Sequence, residues 1–276
     1  MPQAVMRRTM SRLGKATVVA GTAAALTVGL AGSALAAAPA PLPWQASAFQ
    51  DKYQPYFDYD HDGCYPSSAV DPSGWLNGGL RPVGDYGGDC RYMGRANTYV
   101  RSACDPTWCA YVYALYFEKD QGPIGGHTHD WEAVVVWQKR GSEAPSYVSV
   151  SAHGGYSTKK FGSIERSGNR AKIVYHLDGW TTHAMRFAKT GEQAEAWADG
   201  GWDRPTLVAM DKLRASNPTA FNALWNKDWN WIPGEGANFP LQDYGNHFKT
   251  TLTRAKDSVN AAVPNAIPSF NPSTAL

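Results

Sequence analysis

Runs of apolar residues in the middle of the chain predict a β-sheet. Apolar and polar positions alternate in Tyr147–Ala152 and Lys172–Leu177, the period of a half-buried strand, and residues 95–101 also favour a strand. The stretches 109–119 and 129–138 carry continuous apolar or aromatic runs, which are typical of strands covered on both faces. We therefore expect a sheet with at least two strands buried on both sides.

The last third of the chain predicts helices instead. Leu207–Arg214 has helical spacing, and 217–225 opens with an Asn suited to an N-cap and a Pro suited to the first turn. His247–Val259 predicts an amphipathic helix, and the Pro-rich tail beyond it predicts a frayed end. Together these patterns predict an α+β fold: a mostly antiparallel β-sandwich with peripheral helices.

The first 36 residues predict a secretory signal peptide. Four basic residues and no acid precede an apolar, small-residue run over 16–32, and Ala34-Leu35-Ala36 is a small-x-small cleavage site. A transmembrane anchor is the alternative, but the run is short and Ala/Gly-rich compared with a span of about 20 residues. The Arg7-Arg8 pair leaves twin-Arg export open beside the general pathway. We expect a secreted, extracellular protein.

Composition indicates a folded, near-neutral protein. The chain has 276 residues, 43% of them hydrophobic, with 11 Trp, 14 Tyr and 9 Phe, which excludes disorder of the bulk. Loss of the signal peptide would leave slightly more acidic than basic residues, so charge gives no basis for binding nucleic acid. We expect a linker or extension over 37–57, one domain over 58–262 and a frayed tail over 263–276.

The four cysteines predict two disulfides. An even number of cysteines in an exported protein is typical of a disulfide framework, and three pairings are open. Cys64–Cys90 and Cys104–Cys109 are favoured because each closes a short loop. A zinc site is the alternative, although the C-x4-C spacing is unusual for zinc.

The densest polar cluster lies in 125–132, directly before a buried run. On a strand, Asp130 and Glu132 share the face of Val134 and Val136, while His129 takes the other face. Two carboxylates on one face next to apolar residues repel each other unless a cation, a proton or a basic partner joins them.

A third acid is expected at the same place. The preceding strand ends at Asp120, and the Gly- and Pro-containing connection after it predicts a hairpin that brings Asp120 near His127. Three carboxylates and one imidazole suit a hard divalent cation such as Mg²⁺ or Ca²⁺ better than zinc. The alternative is a solvated acidic rim. Motifs of cupins, metallo-β-lactamases, serine hydrolases and phosphate-binding loops are absent from the sequence.

Two adjacent segments carry a family resemblance. The segment Gly126-His127-Thr128-His129-Asp130-Trp131-Glu132 resembles the GHRHDWE heptapeptide of the necrosis- and ethylene-inducing-peptide-like proteins. Residues 110–120, AYVYALYFEKD, resemble the same family's AIMYSWYFPKD strand. Shorter segments are also similar and stand in the right order: 63–66 before these two, and 151–157 and Trp180 with His183-Ala184 after them. The resemblance covers about residues 60–250.

The resemblance implies a secreted cytolysin, or a non-toxic relative, with an actinoporin- and lectin-like β-sandwich. It implies a divalent cation, Mg²⁺ or Ca²⁺, at the bottom of a pocket that binds the sugar head groups of plant glycosylinositol phosphoryl ceramides, with peripheral membrane contact by a monomer. The implied ligands and pocket residues, by number in this sequence, are Asp120, His127, Asp130 and Glu132 for the cation and His129, His153 and His183 for the pocket. Trp180 is the candidate for membrane contact at the pocket rim.

Departures from the family pattern concern the surroundings of this site. Thr128 stands where the heptapeptide has Arg, and the segment from Trp180 to His183 is shorter than in the family.

Four cysteines resemble the family's second class, which has a proposed calcium-binding segment. Asp58, Asp60 and Asp62 begin like an EF-hand loop, but Ala69 stands where the closing Glu is needed, so a second calcium site and a solvated acidic turn both stay open.

Two rival functions use the same residues. The first is a secreted metal-dependent hydrolase acting on carbohydrate, with an acid/base pair among the carboxylates. The second is a carbohydrate-binding lectin without membrane activity. Because one ion would engage all three carboxylates and leave no acid/base pair, we expect a protein that is not an enzyme.

Overall fold

The fold is built around a six-stranded sheet. The computed structural model describes residues 38–195, 201–230 and 237–275. The predicted signal peptide over 1–36 lies outside these ranges. Ten strands are present in the described ranges: β1 (Tyr56–Tyr59), β2 (Asn97–Cys104), β3 (Trp108–Gly122), β4 (Gly125–Lys139), β5 (Tyr147–Ala152), β6 (Gly155–Lys160), β7 (Arg166–Ser167), β8 (Arg170–Asp178), β9 (Thr182–Phe187) and β10 (Thr206–Ala209). The α-helices are α1 (Ala48–Tyr53), α2 (Met210–Ser216), α3 (Pro218–Asn226) and α4 (His247–Ala262).

Strand pairing is mostly antiparallel, as predicted. The larger sheet has the order β10-β2-β3-β4-β5-β6, and only the β10–β2 pair in it is parallel. In the smaller sheet β8 pairs with β1 in parallel and with β7 and β9 antiparallel. The α+β fold class is therefore confirmed.

The larger sheet is buried on both faces. One face packs against the smaller sheet, where Tyr113 and Val134 meet Ile173 and Met185. The other face lies under the helices and the C-terminal segment, where Trp137 belongs to the same apolar cluster as helical residues such as Leu213 and Leu252. This double cover explains why β3 is apolar at nearly every position.

The helical prediction is correct at two places and wrong at one. Asn217 caps α3 by accepting a hydrogen bond from the Ala220 N–H, and α4 covers the predicted 247–259. Leu207–Arg214, however, divides between β10 and α2. The parallel partner β2 holds 206–209 extended, which overrides the local helical spacing.

Both ends of the domain are more ordered than predicted. Within the expected linker 37–57, Leu42 and Tyr53 are buried and a short helix is capped by Ser47. The expectation of a frayed tail over 263–276 is wrong for the described residues, since Ile267 and Phe270 are buried and the Cys104 N–H donates to the Ala275 carbonyl. Apolar residues spaced along the tail find a place on the sheet that the sequence pattern alone does not reveal.

The favoured disulfides are both formed. Cys64–Cys90 closes the long segment between β1 and β2, and Cys104–Cys109 joins a directly paired position of β2 and β3. The four cysteines leave no free thiol, which excludes the zinc alternative. None of the helices in the described ranges combines the length and apolar character that a membrane crossing needs.

Candidate metal centre and its cavity

The β3–β4 hairpin places the two segments of the site side by side. The ladder runs to the Gly122–Gly125 pair, so that Asp120 lies directly opposite His127, as predicted. Gly126 has a φ of 156°, and a Cβ there would lie 2.3 Å from the Asp120 carbonyl oxygen. A glycine is therefore required for the two strands to approach at this point.

Three side chains converge at metal-binding spacing. One ligand atom each from Asp120, His127 and Asp130 lies within 4.8 Å of the others, and both carboxylates are buried. His127 Nε2 lies 3.8 Å from Asp120 Oδ2. These residues can hold a metal ion, because oxygen-rich donor sets with a single imidazole suit hard divalent cations.

Glu132 adds a third buried carboxylate on the same face of β4. The Ser151 hydroxyl donates a hydrogen bond to Glu132, and the Tyr175 hydroxyl donates one of 3.1 Å to Asp130 Oδ2. Burial and the neighbouring Asp120 raise the pKa of Asp130 to about 6. Burial and the charge of Asp130 also raise the pKa of Glu132 well above its usual range. The acids repel one another, which is the state that a cation relieves.

His183 holds the Asp120 carboxylate in place. Its backbone N–H donates to both Asp120 carboxylate oxygens, and its Nδ1 lies 2.6 Å from Asp120 Oδ1. Its Nε2 lies 3.3 Å from Asp62 Oδ1. Burial disfavours the charged ring, but the two carboxylates outweigh burial and raise the pKa of His183 to about 9. His183 is therefore an imidazolium held between Asp120 and Asp62 at neutral pH.

Ring stacking fixes the position of His183. The His183 ring stacks on Tyr175 with centroids 4.9 Å apart, and Tyr175 stacks on Phe117 at 3.8 Å. A Cβ at Gly63 would lie 2.3 Å from His183 Nε2. The residues directly before Cys64 of the Cys64–Cys90 disulfide thus pack against His183, beside the candidate metal centre.

The metal centre opens into a cavity of about 470 Å³. The cavity lies where β4 extends beyond its pairing with β5, which begins at Val134. Among the predicted site residues, those in its lining are Asp120, His127, Asp130, Glu132, His153 and His183. Its far wall comes from α4 and includes His247 and Arg254. Such a volume is in the range of small-ligand sites, about 300–1,000 Å³.

Two predicted pocket residues lie elsewhere. His129 does not shape the cavity wall: its Nδ1 lies 2.7 Å from the Tyr116 hydroxyl and its ring packs against Trp229. The alternation along β4 turns this ring to the helix side, where burial lowers its pKa to about 4. Trp180 is 72% exposed at the β8–β9 turn and is not part of the cavity lining.

The Asp58, Asp60 and Asp62 side chains do not converge on one point. Asp58 accepts from the Glu195 N–H, Asp60 pairs with Arg186, and Asp62 accepts from the Leu177 N–H and faces His183. In the described ranges, the acidic and imidazole groups close enough for a metal ion do not include these three. The structure gives Asp62 a role beside the metal centre instead.

Sequence reasoning did not assign Ser151, Tyr175 or His247 to the site. Ser151 and Tyr175 stand in apolar, alternating strands and carry no local signal of a role. His247 lies at the start of α4, and the packing of that helix against β5 and β6 brings it to the cavity. Trp229 is buried against Trp131 and Tyr116.

Comparison with known proteins places this geometry in a family. The family model described as "Necrosis inducing protein (NPP1)" matches residues 47–255. "NLP effector protein 10" of Phytophthora capsici is 34% identical over 200 residues, which cover 70% of this chain and 77% of that protein.

Solved structures of the same fold are also similar in sequence. Necrosis and Ethylene inducing Protein 2, from the causal agent of cocoa's Witches Broom disease, superposes with a TM-score of 0.65 at 30% identity, covering 79% of this chain and 94% of that one. NLPPya in complex with mannosamine superposes at 0.64 and 30%, covering 79% and 96%. NLPPya with glucosamine and the non-toxic HaNLP3 protein each superpose at 0.63 over the same shares, at 29% and 27% identity. The chain therefore belongs to the family of necrosis-inducing (NPP1) proteins.

Proposed function

We propose that this is a secreted, divalent-cation-dependent protein that binds sugar head groups of plant membrane sphingolipids and damages the membrane. The observation that carries the proposal is the group of Asp120, His127 and Asp130 at the bottom of an open cavity. NLPPya, a relative of the same fold, has been solved with mannosamine and with glucosamine, which supports a sugar as the ligand.

The cation is proposed to be Mg²⁺ or Ca²⁺, with Glu132 beside the three ligand residues. Sugar hydroxyls would complete its coordination, because both ions prefer oxygen donors and tolerate neutral ones. The residues of this chain then supply the negative charge that binds the ion and the cavity shape that orients the sugar. Since all the carboxylates of the centre serve the ion, we propose binding without turnover.

The proposed target is the sugar head group of glycosylinositol phosphoryl ceramide, with peripheral contact by a monomer. The slight acidic excess of the chain after its signal peptide gives no general attraction to anionic lipid, so recognition would depend on the head group. HaNLP3, of the same fold, is described as non-toxic, so that binding and membrane damage need separate tests.

Dye release from liposomes tests the proposal. We expect release from vesicles that contain the plant sphingolipid in the presence of Mg²⁺ or Ca²⁺, and none after chelation or from phosphatidylcholine vesicles. Binding without release would indicate a lectin, and liberation of free sugar would indicate a hydrolase. Release that persists after metal removal, verified by elemental analysis, would contradict the cation's role.

A further inference from the structure

A groove along α4 adjoins the cavity of the candidate metal centre. The groove has a volume of about 380 Å³, and Thr250 and Arg254 line both the groove and the cavity. The other described residues of its lining are Asn246, Lys249 and Thr253, so the charged side chains of this lining are cations. The buried carboxylates at the cavity floor and the cations of the groove therefore give one surface two ends of opposite charge.

The two cations of the groove, Lys249 and Arg254, are exposed and available to a ligand. The ion pairs of the described ranges include neither of them. The Arg254 Nη1 donates to the Gly154 carbonyl at 2.7 Å, which holds the guanidinium at the β5–β6 turn. A guanidinium has five N–H donors in a planar fork, so this bond leaves most of them for a ligand.

Tyr156 lies within electrostatic reach of both ends. It lines the cavity, and burial of its hydroxyl raises its pKa. The charge of Glu132 adds to this rise, whereas a hydrogen bond with Thr251 and the charge of Arg254 oppose it. One hydroxyl therefore responds to a carboxylate of the floor and to the guanidinium of the groove, so a short saccharide can reach both.

The two ends select different chemical groups. Sugar hydroxyls suit a hard divalent cation at the carboxylates. A guanidinium suits a carboxylate or a phosphate, which it can bind through two parallel N–H bonds. A divalent cation would also offset much of the negative charge at the floor, which lowers the repulsion of an anion in the groove.

We infer that Arg254 and Lys249 form a subsite for an anionic group, a carboxylate or a phosphate, that is joined to the sugar held at the cation. The inference rests on the proposed function, because the sugar at the metal centre brings the anion to the groove. The preferred ligand is then an acidic oligosaccharide. Its anion has two possible sources, the phosphoryl group of the proposed head group and a uronic acid.

Calorimetric titration of the full chain in Mg²⁺ with three disaccharides tests the subsite. The disaccharides join glucosamine to glucose, to glucuronic acid or to glucose 1-phosphate. We expect an acidic disaccharide to bind roughly tenfold tighter than the neutral one, the order expected of one charge-assisted hydrogen bond. A gain confined to the uronate or to the phosphate identifies the anion. The gain should shrink as the salt concentration rises, because both cations are exposed.

Arg254→Gln and Lys249→Gln separate binding in the groove from binding of the anion to the metal ion itself. Each variant should bring the ratio of acidic to neutral affinity down toward one. Lys249 takes no part in the hydrogen bond between Arg254 and Gly154, so its variant tests the charge without altering that turn. Lys212→Gln, on the exposed side of α2, is the matched control and should keep the ratio.

Two outcomes would overturn the subsite alone. One is equal affinity of the unmodified chain for all three disaccharides, and the other is a gain that persists in both groove variants. If none of the disaccharides binds in Mg²⁺, the proposed function fails and the subsite fails with it.

Discussion

At the scale of single residues, the candidate metal centre is a place where the stability of the fold and the proposed cation binding oppose each other. Asp130 and Glu132 are buried side by side, and both have a raised pKa because burial and mutual repulsion disfavour their charged forms. Hydrogen bonds from Ser151 and Tyr175 offset only part of this cost. Removing one of these charges should therefore raise the stability of the fold and weaken cation binding.

We expect Asp130→Asn to raise the melting temperature of the cation-free protein by a few degrees. The amide keeps the shape of Asp130 and removes one of the repelling charges, and a change of about 1 kcal/mol shifts the melting temperature of a domain this size by roughly 2–4 °C. Calorimetric titration should show loss of Mg²⁺ or Ca²⁺ binding. Asp257→Asn, on the exposed side of α4, is the matched control and should change neither property.

The pH dependence of stability follows from two of these groups. In the folded protein the pKa of Asp130 is raised to about 6 and that of His183 to about 9. A raised pKa stabilises the fold below the unfolded value, and this contribution is lost as the pH rises through the folded value. His129, whose pKa burial lowers from 6.5 to about 4, acts in the opposite direction and offsets Asp130 below pH 6.5. We therefore expect the chelated protein to lose stability between about pH 6.5 and pH 9, through His183.

Chemical denaturation at several pH values measures this loss, with and without cation. Added Mg²⁺ or Ca²⁺ should stabilise more at pH 7.5 than at pH 5, because protons compete for Asp130. In Asp130→Asn the stability should rise up to about pH 6.5, because the His129 contribution is no longer offset, and the loss up to pH 9 should stay. A chelated protein that is equally stable across the range would contradict the charge states assigned to Asp130 and His183.

At the scale of elements, the site is the product of one hairpin and the segment packed behind it. The sequence predicts the hairpin well: alternation along β4 sets the faces of Asp130 and Glu132, and the Gly- and Pro-rich turn brings Asp120 to His127. These are local effects, readable from neighbouring residues. The contacts of Asp62, His183 and α4 with the centre join positions far apart in sequence, and no local pattern encodes them.

His129 is a different case. The family resemblance places it in the pocket, but the alternation along β4, which the sequence already predicts, and its φ of 61° turn it away from the cavity. The limit of local patterns applies to the next two segments. The spacing of Leu207–Arg214 favours a helix, but pairing with β2 extends its first part. The Asp58, Asp60 and Asp62 triplet has the order of a calcium loop, but partners elsewhere in the fold occupy each carboxylate.

Gly63→Ala tests the contact between the residues directly before the Cys64–Cys90 disulfide and His183. The added methyl group would collide with His183 Nε2, since a Cβ there lies only 2.3 Å from it. We expect a loss of about 1–3 kcal/mol in the free energy of unfolding, typical of overpacking, together with weaker cation binding. Gly78→Ala, where a Cβ would meet open space, is the control. An unchanged cation affinity would indicate that His183 does not position Asp120 for the cation.

At the scale of the whole molecule, exposed apolar side chains lie at the hairpin end that also carries Asp120 and His127. Ile124, at the tip of the β3–β4 hairpin, is 69% exposed, and its N–H donates to the Trp180 carbonyl at 2.9 Å. The two turns are thereby joined through their backbones. An exposed Trp in this position suits contact with a membrane interface.

We expect Trp180→Ala to reduce dye release from sphingolipid vesicles by roughly tenfold. This is the order expected when one large apolar side chain no longer enters the membrane interface. Glucosamine affinity should change little, because Trp180 does not line the cavity. Trp44→Ala removes another exposed Trp, on the N-terminal segment, and should leave dye release unchanged. Equal losses of sugar binding and dye release would make Trp180 part of the sugar site.

The C-terminal segment has a consequence for the order of events during synthesis. Phe270 packs on Trp137 with centroids 5.0 Å apart, and Ile267 lies in the same core, so these residues cover part of a sheet face that is made much earlier. The helices α2, α3 and α4 cover the rest of that face and also follow its central strands in the chain. While only those strands have left the ribosome the face is uncovered, and its apolar side chains are then the surface that a holding chaperone would bind.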